Sequence, residues 1–190
     1  MKIDSFTGDY EFLRNDFECN VVLDGEMYSS VERAFQAAKT DDKEKREEIK
    51  NASTLRDARK LGRNFTLSPT WKDDRLVVMK DLLKSKFNDN LALKFKLLLT
   101  EDFDLIQGGM TNGDQFWGVD EFGVGENHLG ELLMKVRQDI VYDVCDPINR
   151  QKSCPDTARL CLDKYLEDHK LGFLSPYIKW QSPNQNAVQL

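Results

Sequence analysis

The pattern of apolar and polar positions changes twice along this chain. Near the start, "NVVLDGEMYS" sets Asp24-Gly25 between two apolar-rich arms. Asp-Gly in a two-residue loop predicts a β-hairpin. From Ser30 the period lengthens to that of helices. "SVERAFQAAK" puts Val31, Ala34, Phe35 and Ala38 on one stripe and predicts a helix over about 30–40. Charged helices follow near 42–50 and 55–61, with Gly62 as the expected stop of the second. "SPTWKDDRLVVMKDLLKSKF" predicts a longer helix, with Thr70 as N-cap and Asp73 in the first turn. "NLALKFKLLL" is another, carrying Leu91, Phe95 and Leu98 along one side.

The helical rhythm then breaks at "FDLIQGGMTNGDQFWGVDEFGVGENHLG", which holds seven glycines in 28 residues. A glycine-rich loop that also carries Asp114, Phe116 and Trp117 is a functional candidate. It leads into "LGELLMKVRQDIVYDV", whose apolar positions fit a buried helix. Beyond Pro147, "TARLCLDKYLEDH" predicts an extra helix, and the tail from Ser182 is polar. The expected fold is α+β: a mostly helical single domain with a small N-terminal β-hairpin or sheet. Residues 1–145 form that domain, and 146–190 add a helical extension and polar tail that pack on it.

Composition narrows the classes. The chain has 190 residues, of which 40% are apolar and 32% charged, enough for one domain with a real core. No apolar run approaches the ~20 residues that cross a bilayer. "MKIDSFTGDYEF" lacks the apolar stretch and cleavage site of a signal peptide, so the cytoplasm is the expected compartment. Cys19, Cys145, Cys154 and Cys161 show no zinc-site spacing and are expected as free thiols. The only histidines are His128 and His169, so chemistry at neutral pH falls to carboxylates, lysine or a metal. The formal net charge of −6 argues against wrapping duplex DNA by general charge neutralisation, yet allows an anionic substrate held by local cations.

The helix at 30–40 carries a second stripe. Glu32, Gln36 and Lys39 fall at i, i+4 and i+7 beside the apolar one. Two readings compete. Ser29-x-x-Glu32 is a capping box, in which Glu32 reaches back to the Ser29 backbone and Gln36 and Lys39 are solvated. Alternatively the stripe is one wall of a pocket, with an acid and an amine about 10 Å apart along the axis. The same choice applies to Asn127 as an N-cap, Trp71 as core packing and Arg63 as a solvated charge.

The order of "DGEMYSSVERAFQAAK" (24–39), "DARKLGR" (57–63), "WKDDRLVVM" (71–79), "KFNDN" (86–90), "DQFWG" (114–118) and "GVGENHLGELLMKVR" (123–137) resembles the NADAR family, the YbiA-like N-glycosidases. The resemblance spans roughly residues 6 to 140. The chain departs from the family pattern at three places. Arg33 follows the helix acid where the family often has His, "FLRNDF" carries Arg14 and Asp16 around Asn15, and Gln107 stands where an acid often occurs.

The resemblance implies a YbiA-like fold and a hydrolase acting on N-glycosyl bonds (EC 3.2.2.-), with cleavage between ribose C1 and a nitrogen. Family members act on phosphorylated ribosylamino-pyrimidine intermediates of riboflavin synthesis, or remove ADP-ribose from guanine in nucleic acid. It assigns catalysis to Glu32, Lys39, Trp71 and Asp114. Asn15, Gln36, Arg63, Trp117, Gly118, Gly125 and Asn127 would line the substrate site. Gly123, Gly125 and the start of the last helix would hold phosphate through backbone N–H groups. No cofactor and no metal are expected. The expected partner is a small nucleotide or an ADP-ribosylated base in nucleic acid, without a membrane or an obligate protein partner. The alternative is a catalytically silent module that binds ADP-ribose or a nucleotide.

Overall fold

Asp24 and Gly25 both take positive φ, 50° and 83°. That is the backbone of the tight turn that Asp-Gly favours, and it closes the expected hairpin. A short strand, β1 (Lys2–Ile3), precedes it, and the hairpin itself is β2 (Val21–Leu23) and β3 (Glu26–Tyr28). β2 and β3 pair antiparallel, with Val22 opposite Met27. The computed structural model describes residues 1–109 and 114–144. The predicted helix in "TARLCLDKYLEDH", the polar tail, Cys145, Cys154, Cys161, His169 and the whole 146–190 extension lie outside the described residues.

Among the described residues six α-helices follow: α1 (Val31–Ala37), α2 (Lys43–Asn51), α3 (Leu55–Arg63), α4 (Trp71–Asp89), α5 (Leu91–Leu98) and α6 (His128–Val144). α2 and α3 begin as capping chemistry dictates. Asp42 accepts from the N–H groups of Glu44 and Lys45, and Thr54 from that of Asp57. Thr70 does not cap α4 with its side chain. It already lies at helical angles, φ −86° and ψ −8°, and its hydroxyl is 2.8 Å from Ser68 Oγ.

The core is built from the apolar stripes of these helices. Val31, Ala34 and Phe35 of α1, Met79, Leu82, Leu83 and Phe87 of α4, and Leu129, Leu133, Val136 and Ile140 of α6 are buried. α1 packs on α2, α3 and α4, and α4 on α5 and α6. Arg137 ties α6 to the turn after α5, donating to Thr100 Oγ1 at 2.7 Å and to the Phe103 carbonyl at 3.0 Å. The described residues form an α+β fold in which helices dominate, as the residue pattern predicts. No helix among them is long and apolar enough to cross a membrane.

One strand has no counterpart in the residue pattern. β4 (Asp104–Leu105) pairs parallel with β1, Lys2 opposite Asp104 and Ile3 opposite Leu105. This pairing fixes where the glycine-rich segment begins.

Candidate functional site

α1 starts one residue later than the capping box requires. Ser30, in extended backbone, accepts from the Arg33 N–H at 3.2 Å, and the Ser29–Glu32 box does not form. The Glu32 N–H instead donates to the Asn15 carbonyl at 2.8 Å. Its carboxylate faces sideways: Oε1 accepts from Gln36 Nε2 at 3.0 Å and from Arg59 Nε at 2.8 Å. Gln36 Oε1 in turn accepts from Lys39 Nζ at 2.7 Å. Acid, amide and amine thus form one continuous hydrogen-bonded line. The amide has one orientation that serves both neighbours, NH2 to the carboxylate and C=O to the ammonium.

The helix ends at Ala37, short of the expected Thr40. The chain turns there through three-residue bonds, Lys39 N–H to the Gln36 carbonyl and Thr40 N–H to that of Ala37. Lys39 therefore lies beyond the helix, and its side chain returns to it. Burial pushes the Lys39 ammonium below the usual lysine range. Glu32 opposes this shift and the nearby Arg63 charge adds to it. Arg63 itself is exposed at the last position of α3.

Gly62 is not a helix stop. It lies buried inside α3, where a Cβ would overlap the Gln36 side chain. Ala58 and Gly62, four residues apart, let α3 approach α1 closely. That approach delivers Arg59 to Glu32. Arg59 also lies 3.8 Å from Asp16, which Arg14 holds with two bonds of 2.7 and 2.8 Å. Burial works against the Arg59 charge, but the bond to Glu32 and the two nearby carboxylates outweigh it, so its proton is held more tightly than usual. Arg33 points elsewhere. Its Nη1 donates to the carbonyls of Ile49 and Ala52 at 2.8 and 2.9 Å, closing the C-terminus of α2. The departure from histidine at this position thus serves helix packing.

Three distant segments meet at Phe35. Its ring lies 5.3 Å from that of Trp71 and 5.5 Å from that of Trp117. Lys39 Nζ is 5.8 Å from the same ring. Trp117 stacks edge-on against Phe116 at 4.9 Å. α1, the first residue of α4 and the glycine-rich segment thus share one aromatic wall. Trp71 is core packing on one side and half-exposed on the other. Asp114 is exposed, and its Oδ1 accepts from the Trp117 N–H at 3.4 Å. Among the described residues no hydrogen bond or ion pair links Asp114 to Glu32.

Most of the backbone donors of the expected phosphate cradle are engaged within the protein. The N–H groups of Asn127, His128 and Leu129, at the start of α6, donate to the carbonyls of Gly118, Phe116 and Trp117. In the loop before it, Phe122 and Val124 N–H both donate to Asp120 Oδ1 at 2.9 Å, and Gly123 N–H to the Asp120 carbonyl. Gly118 and Gly125 serve close packing, because a Cβ on Gly125 would overlap the Gly118 carbonyl. Asn127, at φ 50°, is not a side-chain N-cap. Its amide accepts from the Gln107 N–H at 2.9 Å and donates to the Leu105 carbonyl at 3.0 Å, clamping the segment after β4 onto α6. Asn15 supplies its carbonyl to Glu32, while its own Oδ1 is buried without a partner.

Glu32, Gln36 and Lys39 therefore come together directly, and Trp71 and Trp117 join them through Phe35. Arg59 and Phe35 are not among the residues the sequence nominates. Arg59 and Arg63, one helical turn apart in "DARKLGR", are the visible signal for a cationic face on α3.

A family model described as the NADAR domain matches residues 5–141. N-glycosidase YbiA of Escherichia coli (strain K12) is 32% identical over 141 residues, covering 73% of this chain and 87% of the relative. A riboflavin biosynthesis protein of Vibrio vulnificus (strain YJ016) is 34% identical over 131 residues, covering 68% of this chain; the chain spans 35% of that longer protein. The NMR structure of the E. coli protein YbiA superposes with a TM-score of 0.65 at 30% identity, covering 75% of this chain and 88% of that one.

Proposed function

The chain belongs to the NADAR domain family, and on that premise we propose that it is an N-glycosidase that hydrolyses the bond between a ribose C1 and a nitrogen. The observation that carries this reading is the bonded line of Glu32, Gln36 and Lys39 beside the Phe35–Trp71–Trp117 wall. Breaking a C1–N bond places positive charge on the ribose. A carboxylate beside the ring stabilises that charge and takes a proton from attacking water. Glu32 fits that role, because Arg59 and Gln36 both bond Oε1 and fix the carboxyl plane.

Lys39 offers a covalent route. When the ribose ring opens, C1 and the leaving nitrogen form an imine. A neutral Lys39 amine adds to C1 and expels the base amine, which takes up a proton. Water then hydrolyses the lysine imine to free ribose and amine. The downward shift of the Lys39 proton affinity favours the neutral form this step needs. Trp71 and Trp117 present ring faces on which the sugar or base packs. Asp114, beside Trp117, is the second carboxylate of the scheme.

The substrate is an ADP-ribosylated guanine, free or in nucleic acid, or a phosphoribosylamino-pyrimidine of riboflavin synthesis. A panel of these substrates, assayed for base release with wild type and Glu32→Ala, tests the proposal. Wild type releases base from at least one, and Glu32→Ala slows that release by about 10²–10³-fold. Full activity in Glu32→Ala removes Glu32 from the chemistry. ADP-ribose binding in calorimetry without release from any substrate favours the silent module.

A further inference from the structure

Arg75 stands on the same face of α4 as Trp71, one turn further on. Its guanidinium carbon lies 3.5 Å from the centroid of the Phe116 ring. That is stacking contact, which fixes the plane of the fork. Arg75 Nε is buried without a hydrogen-bond partner. No carboxylate among the described residues lies within ion-pair distance of Arg75, whereas Arg14, Arg46 and Arg59 are each paired with acids. A cation held in place and left without its anion is what a phosphate-binding arginine looks like before its ligand arrives.

The surroundings sharpen this. A nucleotide-derived ribose carries a phosphoryl group on C5, and at the start of α6 the N–H groups of Asn127, His128 and Leu129 are engaged with the carbonyls of 116–118. The anion must be met by a side chain. Arg75 stacks on Phe116, Phe116 on Trp117, Trp117 on Phe35, and Phe35 lies beside Lys39. The aromatic wall thus runs from Lys39 to the fork, and a ribose with C1 at Glu32 and Lys39 and its C5 substituent laid along that wall is the arrangement the proposal requires.

The geometry points to Arg75 as the residue that binds the 5-phosphoryl group of the ribosylated substrate through its guanidinium fork. This rests on the N-glycosidase reading only for the position of C1. Binding is tested without turnover, so a failure of the catalytic reading is seen separately. Ribose, ribose 5-phosphate and ADP-ribose are titrated calorimetrically into wild type, Arg75→Gln and Arg75→Lys.

The expected result is that wild type binds ribose 5-phosphate at least about tenfold more tightly than ribose. Arg75→Gln loses that advantage while its ribose affinity holds. Arg75→Lys regains part of it, having the charge without the fork. A larger loss for ADP-ribose than for ribose 5-phosphate identifies a pyrophosphate as the natural ligand; an equal loss identifies a monophosphate. Three results overturn the proposal: equal wild-type affinities for ribose and ribose 5-phosphate, an advantage retained in Arg75→Gln, or equal weakening of both ligands. The last means that Arg75 only pins the glycine-rich segment to α4. If Arg75→Gln melts early, the Arg75→Lys comparison decides by the same ratio.

Discussion

The Gln36 side-chain amide fills the space where a side chain at Gly62 would stand. Two helices contribute to one position, and the glycine of α3 leaves the room in which the acid and amide of α1 line up with the amine of Lys39. Gly62→Ala separates this role from stability. Alanine gains about 1 kcal/mol of helix propensity over glycine, while the overlap costs about 1–3 kcal/mol, so the net is a loss of about 0–2 kcal/mol. Displacing Gln36 breaks both of its side-chain bonds. Turnover is expected to fall about ten- to hundredfold while the melting temperature falls by no more than about 8 °C, so the variant stays folded at assay temperature. An unchanged kcat would mean that the amide does not organise the site.

Lys39 sets the alkaline behaviour. Its ammonium loses a proton below the usual lysine range, chiefly through burial, and Arg63 deepens the shift. If the neutral amine attacks C1, the rate rises with pH through this lowered value. Arg63→Gln removes a neighbouring positive charge, so the Lys39 proton is held more tightly and the rising limb moves to higher pH. Borohydride added during turnover traps a protein–ribose adduct in wild type and none in Lys39→Ala. An undiminished adduct in Lys39→Ala places the imine elsewhere.

Lys86 links pH to folding. It is fully buried, donates to the Arg14 carbonyl at 2.7 Å, and burial brings its pKa down to about 8. In the unfolded chain lysine keeps its ordinary value near 10.5. Below pH 8 both states carry the proton, and the folded state bears the full cost of the buried charge. Between about 8 and 10.5 the unfolded state binds more protons than the folded one, so stability rises with pH. Each tenfold difference in proton affinity between the two states is worth about 1.4 kcal/mol. Urea melts of wild type and Lys86→Met from pH 7 to 10 should therefore show wild type gaining on the variant by up to about 3 kcal/mol. A constant difference across that range would mean that Lys86 titrates as an exposed lysine.

Asn127→Ala removes a side-chain amide that bonds two backbone groups, the Gln107 N–H and the Leu105 carbonyl. It also puts alanine at φ 50°. The expected loss is about 2–4 kcal/mol in denaturant melts, one part for each unmade bond and one for the backbone. A loss within about 0.5 kcal/mol would assign the amide to substrate instead.

Local chemistry was legible wherever the residues that decide it are neighbours. Asp24-Gly25 announces its own turn, and the charged helices expected near 42–50 and 55–61 are α2 and α3. The polar stripe was visible as spacing, and its hydrogen bonds run as that spacing suggests. Thr70 is a local exception, its hydroxyl meeting Ser68 instead of capping α4; the other misreadings come from a partner distant in the chain. Ser29 and Glu32 spell a capping box, but Arg59, brought in by α3, takes the carboxylate. Gly62 reads as a stop because nothing local says that Gln36 needs its space. Asn127 reads as a cap because Leu105 and Gln107 are invisible from its own neighbourhood. Two-residue strands about 100 positions apart leave no periodicity to detect.

That last pairing bears on how the protein is made. α1 and Lys39 just beyond it emerge from the ribosome well before β4 and the tryptophan segment. Met1 and Ile3 offer their carbonyls to the N–H groups of Asp104 and Ile106, so the opening residues wait for partners not yet synthesised. Closing so long a loop is the slow, entropically costly part of folding. An affinity tag fused at the amino end would therefore disturb the glycine-rich segment from behind.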